Sequence, residues 1–134
     1  MTGGIPPQYY TCYDLLYDDR TVDLGMWRRL AEEADGPVLE VGCGTGRVLV
    51  ALAETGQPLT GIDLSSTAID LARRKIEAAH VSILQADMRT LDLPTRDFAL
   101  VLIPFNTFLH CASQEEQQSC LNAIHAHMAD GARL

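Results

Sequence analysis

The sequence predicts an α/β fold: a doubly wound, mostly parallel sheet lying between two layers of helices. Three observations carry that expectation. Phe98 to Ile103 is an uninterrupted apolar run, the mark of a strand buried on both faces. Strand-like runs alternate along the chain with segments whose apolar residues recur at helical spacing. The run Val38 to Val41 passes through glycines straight into one of those helical segments.

The elements follow in order. The first 20 residues read as aromatic and irregular, with Tyr9, Tyr10, Tyr13 and Tyr17 close together. Val22 to Ala34 places Leu24, Trp27, Leu30, Ala31 and Ala34 on one helical face, and Gly36-Pro37 stops it. Val38 to Val41 is a strand, and Gly46 to Thr55 a helix. Pro58 to Ile62 is again strand. Ser65 to Ala79 is helical, with Ala68, Leu71, Ala72, Ile76 and Ala79 on one side. Val81 to Leu84 and Phe98 to Ile103 are strands. Ser113 and Glu116 have the spacing of a capping box, Leu121, Ile124 and Met128 make a buried stripe, and Gly131 ends that last helix. Ala132-Arg133-Leu134 begins a further strand. An open sheet that stops there leaves an edge unprotected. The expectation is one domain over residues 1–134, with a lid-like helical segment at 1–36 and a core at 37–134. Its C-terminal strands are expected to be missing, or its edge to be covered by a second copy in a homodimer.

Composition narrows the function. The 134 residues suffice for one core, which buries roughly 65 to 70% of the unfolded surface. The formal net charge of -8 gives no counterion-release affinity for DNA or RNA and argues against anionic membranes. Met1-Thr-Gly-Gly lacks the basic start of a signal peptide, and no apolar stretch approaches the roughly 18 residues of a membrane helix. Cys12, Cys43, Cys111 and Cys120 form no CxxC, so a reduced, cytoplasmic setting is the default and no metal site is expected. His125 and His127, two apart, point to different sides of a helix and read as solvated.

Val38-Leu39-Glu40-Val41-Gly42-Cys43-Gly44-Thr45-Gly46-Arg47 holds the chemistry. Gly42 permits the tight turn, Gly44 lets backbone approach a ligand, and Gly46 lets the helix start against the strand. Seventeen residues after Gly46, Asp63 ends the second strand, where a carboxylate can accept hydrogen bonds from two ribose hydroxyls. Dinucleotide sites space their glycines as G-x-G-x-x-G; here the third comes one residue sooner. Glu40 also faces the turn, where a carboxylate suits an ammonium or sulfonium and repels a pyrophosphate. S-adenosylmethionine fits better than NAD.

On these residues the chain resembles the class I S-adenosylmethionine-dependent methyltransferases, over about residues 9 to 134, with V-L-E-V-G-C-G-T-G-R at 38–47 as the most specific segment. The resemblance implies a Rossmann-like fold and S-adenosylmethionine as cofactor. It implies that Asp63 in G-I-D-L-S binds the ribose and Leu64 packs on the adenine. In Q-A-D-M, Asp87 would take the adenine amino group and the Met88 backbone N–H a ring nitrogen. The strand end from Ile103 to Asn106 would lie beneath the methionine part. Tyr10 and Tyr13 are candidates for a lid over the cofactor. Cys43 reads as a small packed residue of the loop, and His110 as the one candidate for a general base.

The expected activity is therefore methyl transfer to an N, O or C nucleophile of a small molecule. Two other classes stay open: a cofactor-binding module without catalysis, and a nicotinamide-dependent oxidoreductase.

Overall fold

The computed structural model describes residues 5–17 and 19–134. Met1 to Gly4, on which the signal-peptide reading rests, lie outside the described residues. The elements are α1 (Pro7–Tyr17), α2 (Leu24–Glu32), β1 (Val38–Val41), α3 (Arg47–Ala53), β2 (Leu59–Asp63), α4 (Ser66–Lys75), β3 (Val81–Gln85), β4 (Phe98–Leu102), a 3₁₀ turn (Thr107–His110), α5 (Gln114–His125) and β5 (Met128–Arg133). The strands form one parallel sheet in the order β3-β2-β1-β4-β5. The chain thus builds outward from β1 to β3, then crosses back to place β4 on the other side of β1. In such sheets ligands bind where the order reverses, beyond the carboxyl ends of the strands. Here that crevice opens beyond Val41 and Leu102.

The expected three layers are present. Leu49, Leu52, Ile69 and Ala72 pack on one face of the sheet together with Ala31, Trp27 and Leu30. Leu39, Val41, Ile62, Phe98 and Val101 face the other way, against Cys120 and Ile124 of α5. The two-residue period of β1 sends Leu39 and Val41 to the second layer and Val38 to the first. Glu40 shares the face of Val38 and lies at the carboxyl end of the strand.

Four local expectations change. The tyrosine-rich opening is helical rather than irregular: Pro7 stands at its first position, where a missing N–H costs nothing, and Tyr10 is buried. Helix α4 ends at Lys75, short of Ala79. Ile76 is already extended and still packs on the core, whereas Ala79 is exposed. Helix α5 ends at His125, because Met128 enters β5 and pairs with Phe98. Gly131 therefore lies inside a strand, at φ +76°, where the β4–β5 register shifts, and does not cap the helix. Leu121 is on the exposed side. The cap itself is partly as expected: the Ser113 hydroxyl accepts from the Glu116 N–H at 3.2 Å, while Glu116 Oε2 accepts from the Ala112 N–H at 2.7 Å.

The fourth change concerns His127, which is 1% exposed rather than solvated. Its Nδ1 donates to the Ala123 carbonyl at 2.7 Å, and its Nε2 accepts from the Leu93 N–H at 3.0 Å. The ring thereby satisfies the loop before β4 as well as the end of α5. His127→Ala leaves both backbone groups unpaired and opens a cavity, so urea unfolding should show a loss of about 2–4 kcal/mol. A loss below about 0.5 kcal/mol would overturn that role.

Candidate functional site

The loop after β1 takes its shape from backbone conformations that only glycine adopts easily. Gly42 sits at φ +72° and Gly44 at φ +55°, and Gly46 opens α3 at φ +93°. The Cys43 N–H donates to the Ile62 carbonyl at 2.8 Å, tying the loop to β2. Asp63 completes the tie. Its Oδ2 accepts from the Gly44 N–H and its Oδ1 from the Ser65 N–H, both at 2.9 Å. Each oxygen keeps a further lone pair for a ligand's hydroxyl groups.

Glu40 lies beneath this loop at 2% exposure, and its Oε2 has no hydrogen-bond partner among the described residues. Burial pushes its carboxyl up to about 8, against the pull of the Arg47 guanidinium. A buried polar atom left in this state is one that a ligand's donor can satisfy. Cys43 is buried beside it, and burial pushes its thiol well above the ordinary range, in keeping with a packed residue and not a nucleophile.

Leu64, one residue past β2, is 62% exposed at the mouth of the crevice. Beyond β3, Met88 packs against the second core layer. The Asp87 carboxylate, expected to face a ligand, is held by Arg89: Nε reaches Oδ1 at 3.0 Å and a terminal nitrogen reaches Oδ2 at 2.7 Å. On the far side of β1, Ile103 is half-buried, while Phe105 adopts φ 58° and Asn106 is exposed. A non-glycine residue in that conformation stores strain. Thr107 folds back over Gly42, and its hydroxyl donates to the Pro104 carbonyl at 3.0 Å. His110 ends the 3₁₀ turn and is exposed.

The N-terminal helix closes over the loop. Asp14 accepts a hydrogen bond from the Thr45 hydroxyl and pairs with Lys75 at 2.9 Å. The Tyr10 hydroxyl lies against Ser65, and Tyr13 packs on Tyr17 with ring centres 4.5 Å apart. Both tyrosines anticipated as lid residues therefore belong to a helix seated on the glycine loop.

The structure gathers Tyr13, Glu40, the loop from Gly42 to Gly46, Asp63, Leu64, Ile103 and Asn106 at one end of the sheet. Asp87 and Met88 stand at the next strand end. Sequence reasoning missed Arg47, although it quoted the residue within the loop segment. Its guanidinium forms a two-pronged pair with Asp23 at 2.8 Å, donates to the Arg20 carbonyl at 2.7 Å and stacks 4.5 Å from the Phe105 ring centre. That fork holds the Asp23 carboxyl far below the usual carboxylate range. Only its place at the start of a helix following the glycines hinted at such a role.

Among the described residues no helix is long and apolar enough to cross a membrane, and no cluster of His, Cys, Asp or Glu has the makings of a metal site.

Residues 38–131 match the family model described as a methyltransferase domain. A cypemycin N-terminal methyltransferase from a Streptomyces species is 32% identical over 122 residues, covering 89% of this chain and 49% of the relative. The sugar N-methyltransferase KedS8 from a Streptoalloteichus species superposes with a TM-score of 0.76 at 30% identity, over 90% of this chain and 50% of that one. The glycopeptide N-methyltransferase MtfA, solved with S-adenosyl-L-methionine, shares the fold at a TM-score of 0.72 and 22% identity, over 87% and 50% of the two chains. The chain spans about half the length of these relatives.

Proposed function

The chain belongs to the class I S-adenosylmethionine-dependent methyltransferase family, and we propose that it transfers a methyl group from S-adenosylmethionine to an amino nitrogen of a small molecule. The observation that carries the reading is the unpartnered Oε2 of Glu40, buried under the glycine loop at the point where the strand order reverses. A cationic ammonium satisfies that atom as Glu40 ionises, whereas a pyrophosphate would offer the buried acid no positive charge and would lie against the Asp63 carboxylate. This disfavours a dinucleotide.

Each residue then has a task. Glu40 takes the ammonium of the methionine end and gives up its own proton as it does so. Asp63 accepts the ribose hydroxyls, Leu64 supplies an apolar platform for the adenine ring, and Asp87 accepts from the exocyclic amine. When bound, the cofactor would supply an electrophilic methyl on sulfur for a nitrogen lone pair to take. An amine must therefore arrive unprotonated, and its product loses a proton to water or to His110. Tyr13, Tyr17 and Phe105 roof the loop and limit water at the reacting atoms. Holding donor and acceptor in line supplies roughly 7–11 kcal/mol. The choice of nitrogen is supported by the N-methylation named for the relatives.

Calorimetric titration with S-adenosylhomocysteine and, separately, NAD tests the cofactor. Saturable heat from the first alone is expected; binding of NAD instead would overturn the reading. Incubation with methyl-labelled S-adenosylmethionine and matched amino and hydroxy sugars tests the acceptor, and label on oxygen would sink the nitrogen assignment.

Gly44→Ala separates binding from folding. A Cβ there meets no protein atom within 4 Å but adopts φ +55°. Stability should fall by about 1–2 kcal/mol. Affinity for S-adenosylhomocysteine should drop at least about tenfold, because the methyl group stands in the space left for the ligand. Unchanged affinity would place the ligand elsewhere.

A further inference from the structure

Arg89 is the centre of a charged bridge between two segments that no sequence motif connects. Toward β3 its Nε donates to Asp87 Oδ1 at 3.0 Å, and a terminal nitrogen donates to Oδ2 at 2.7 Å. The Arg89 backbone N–H also donates to Asp87 Oδ1, at 2.9 Å. Toward α5 its other terminal nitrogen donates to Glu116 Oε1 at 2.6 Å. Glu116 is itself held, because Oε2 accepts from the Ala112 N–H at 2.7 Å and the Ser113 hydroxyl accepts from the Glu116 N–H. The guanidinium is thus clamped at both ends, and a planar fork clamped in this way fixes the orientation of the carboxylate it grips.

The gripped carboxylate stands two residues past the end of β3. Beside it, in register, is the end of β2, where Asp63 pairs with Gln85 and Leu64 presents an apolar surface. Gln85 Nε2 donates to the Leu64 carbonyl at 2.9 Å, fixing the two strand ends together. Leu64 and Asp87 thus follow the ends of neighbouring strands, one offering an apolar surface and the other a charged acceptor.

We propose that Arg89 is a positioning residue that sets the purine selectivity of the site, by locking the Asp87 carboxylate as a charged acceptor aimed at an exocyclic amine. The inference rests on the cofactor reading above. A 6-amino purine offers that acceptor an N–H, while a 6-oxo purine places a carbonyl oxygen against it. With its fork lost, Asp87 turns to other donors and discriminates less. Arg89 does not touch the ligand; it acts through Asp87, and Glu116 acts through Arg89.

The same bridge makes the selectivity resistant to acid. The Arg89 hydrogen bonds hold the Asp87 carboxyl below its ordinary value. The groups facing Asp87 are Arg89 from its own segment, and Glu116 and the buried Cys120 thiol from α5. Removing Arg89 lets Asp87 take up its proton at higher pH, so the selectivity of the variant should fade sooner as pH drops. Glu40 titrates too, but it faces the methionine end, which the two probes share, and cancels in their ratio.

The test is the ratio of affinities for S-adenosylhomocysteine and S-inosylhomocysteine, measured by calorimetry on the full chain between pH 3.5 and 7.5. The wild type should favour the adenosyl compound at least about tenfold. Arg89→Ala should cut the ratio several-fold at neutral pH and move the acid decline of what remains upward in pH, while Arg89→Lys, which keeps the charge without the fork, should fall between. Glu116→Gln should weaken the ratio less than Arg89→Ala. Circular dichroism checks that each variant is folded, and if Arg89→Ala is not, the lysine and glutamine variants decide. A ratio and pH profile unchanged from the wild type in the folded variants would overturn the proposal. Failure of the wild type to bind either probe would instead overturn the cofactor reading itself.

Discussion

Replacing Glu40 with glutamine is expected to weaken S-adenosylhomocysteine binding by about 10- to 100-fold and to stabilise the unliganded protein at alkaline pH. The first effect follows from losing a charge-assisted hydrogen bond in a buried site, worth about 1.5–3 kcal/mol. The second follows from linkage. Burial raises the Glu40 carboxyl in the folded chain to about 8, above its value when unfolded. Between those two values the folded state holds a proton that the unfolded state does not. Stability from this group is therefore complete below the ordinary glutamate range and is lost as pH rises through about 8, by up to roughly 5 kcal/mol. Glutamine does not ionise and removes that slope. Thermal unfolding of both proteins at pH 5 and pH 8 should show the wild type losing more on going to pH 8. With ligand present the wild type should keep its stability, since the ammonium offsets the charge, and binding at neutral pH should release protons to the buffer. Equal pH slopes, or equal affinities, would refute the assignment of Glu40.

Gly42→Ala should be the most damaging single methyl in the loop. The backbone stands at φ +72°, and the added carbon would lie 2.2 Å from Thr107 Cγ2 and 2.6 Å from its hydroxyl oxygen. The conformation costs about 1 kcal/mol and the overlap another 1–3 kcal/mol. A fall in melting temperature of roughly 10 °C is expected, together with loss of measurable S-adenosylhomocysteine binding. The double variant Gly42→Ala/Thr107→Ala should recover the share due to overlap and keep the share due to the backbone. If the two changes were additive, the close approach of Thr107 to the loop would not be the cause.

Gly42, Gly44 and Gly46 show why the loop was readable in advance. Turn, strand end and helix start follow one another within ten residues, so the chemistry lies in local order. The same holds for Asp63 and for β4, whose continuous apolar run admits few alternatives to a doubly buried strand. Helix α1 was not readable in this way. Its tyrosines pack on one another and over the glycine loop, and nothing in the opening segment alone indicates a surface to dock on. Met128 illustrates the reverse case, in which a residue with the right helical spacing was drawn into β5 by pairing with Phe98.

By itself the sequence determined the fold class, the glycine turn, the acid at the end of β2 and the family, because each rests on neighbours in the chain or on a fixed period. Tertiary structure alone decided which charges meet. Arg47 finds Asp23 across 24 positions, Arg89 finds Glu116 across 27, and His127 finds the Leu93 N–H across 34. It also decided that Oε2 of Glu40 would find no hydrogen-bond partner among the described residues. A polar side chain takes whichever partner the packed backbone brings within about 3 Å, and no period in the sequence records that distance.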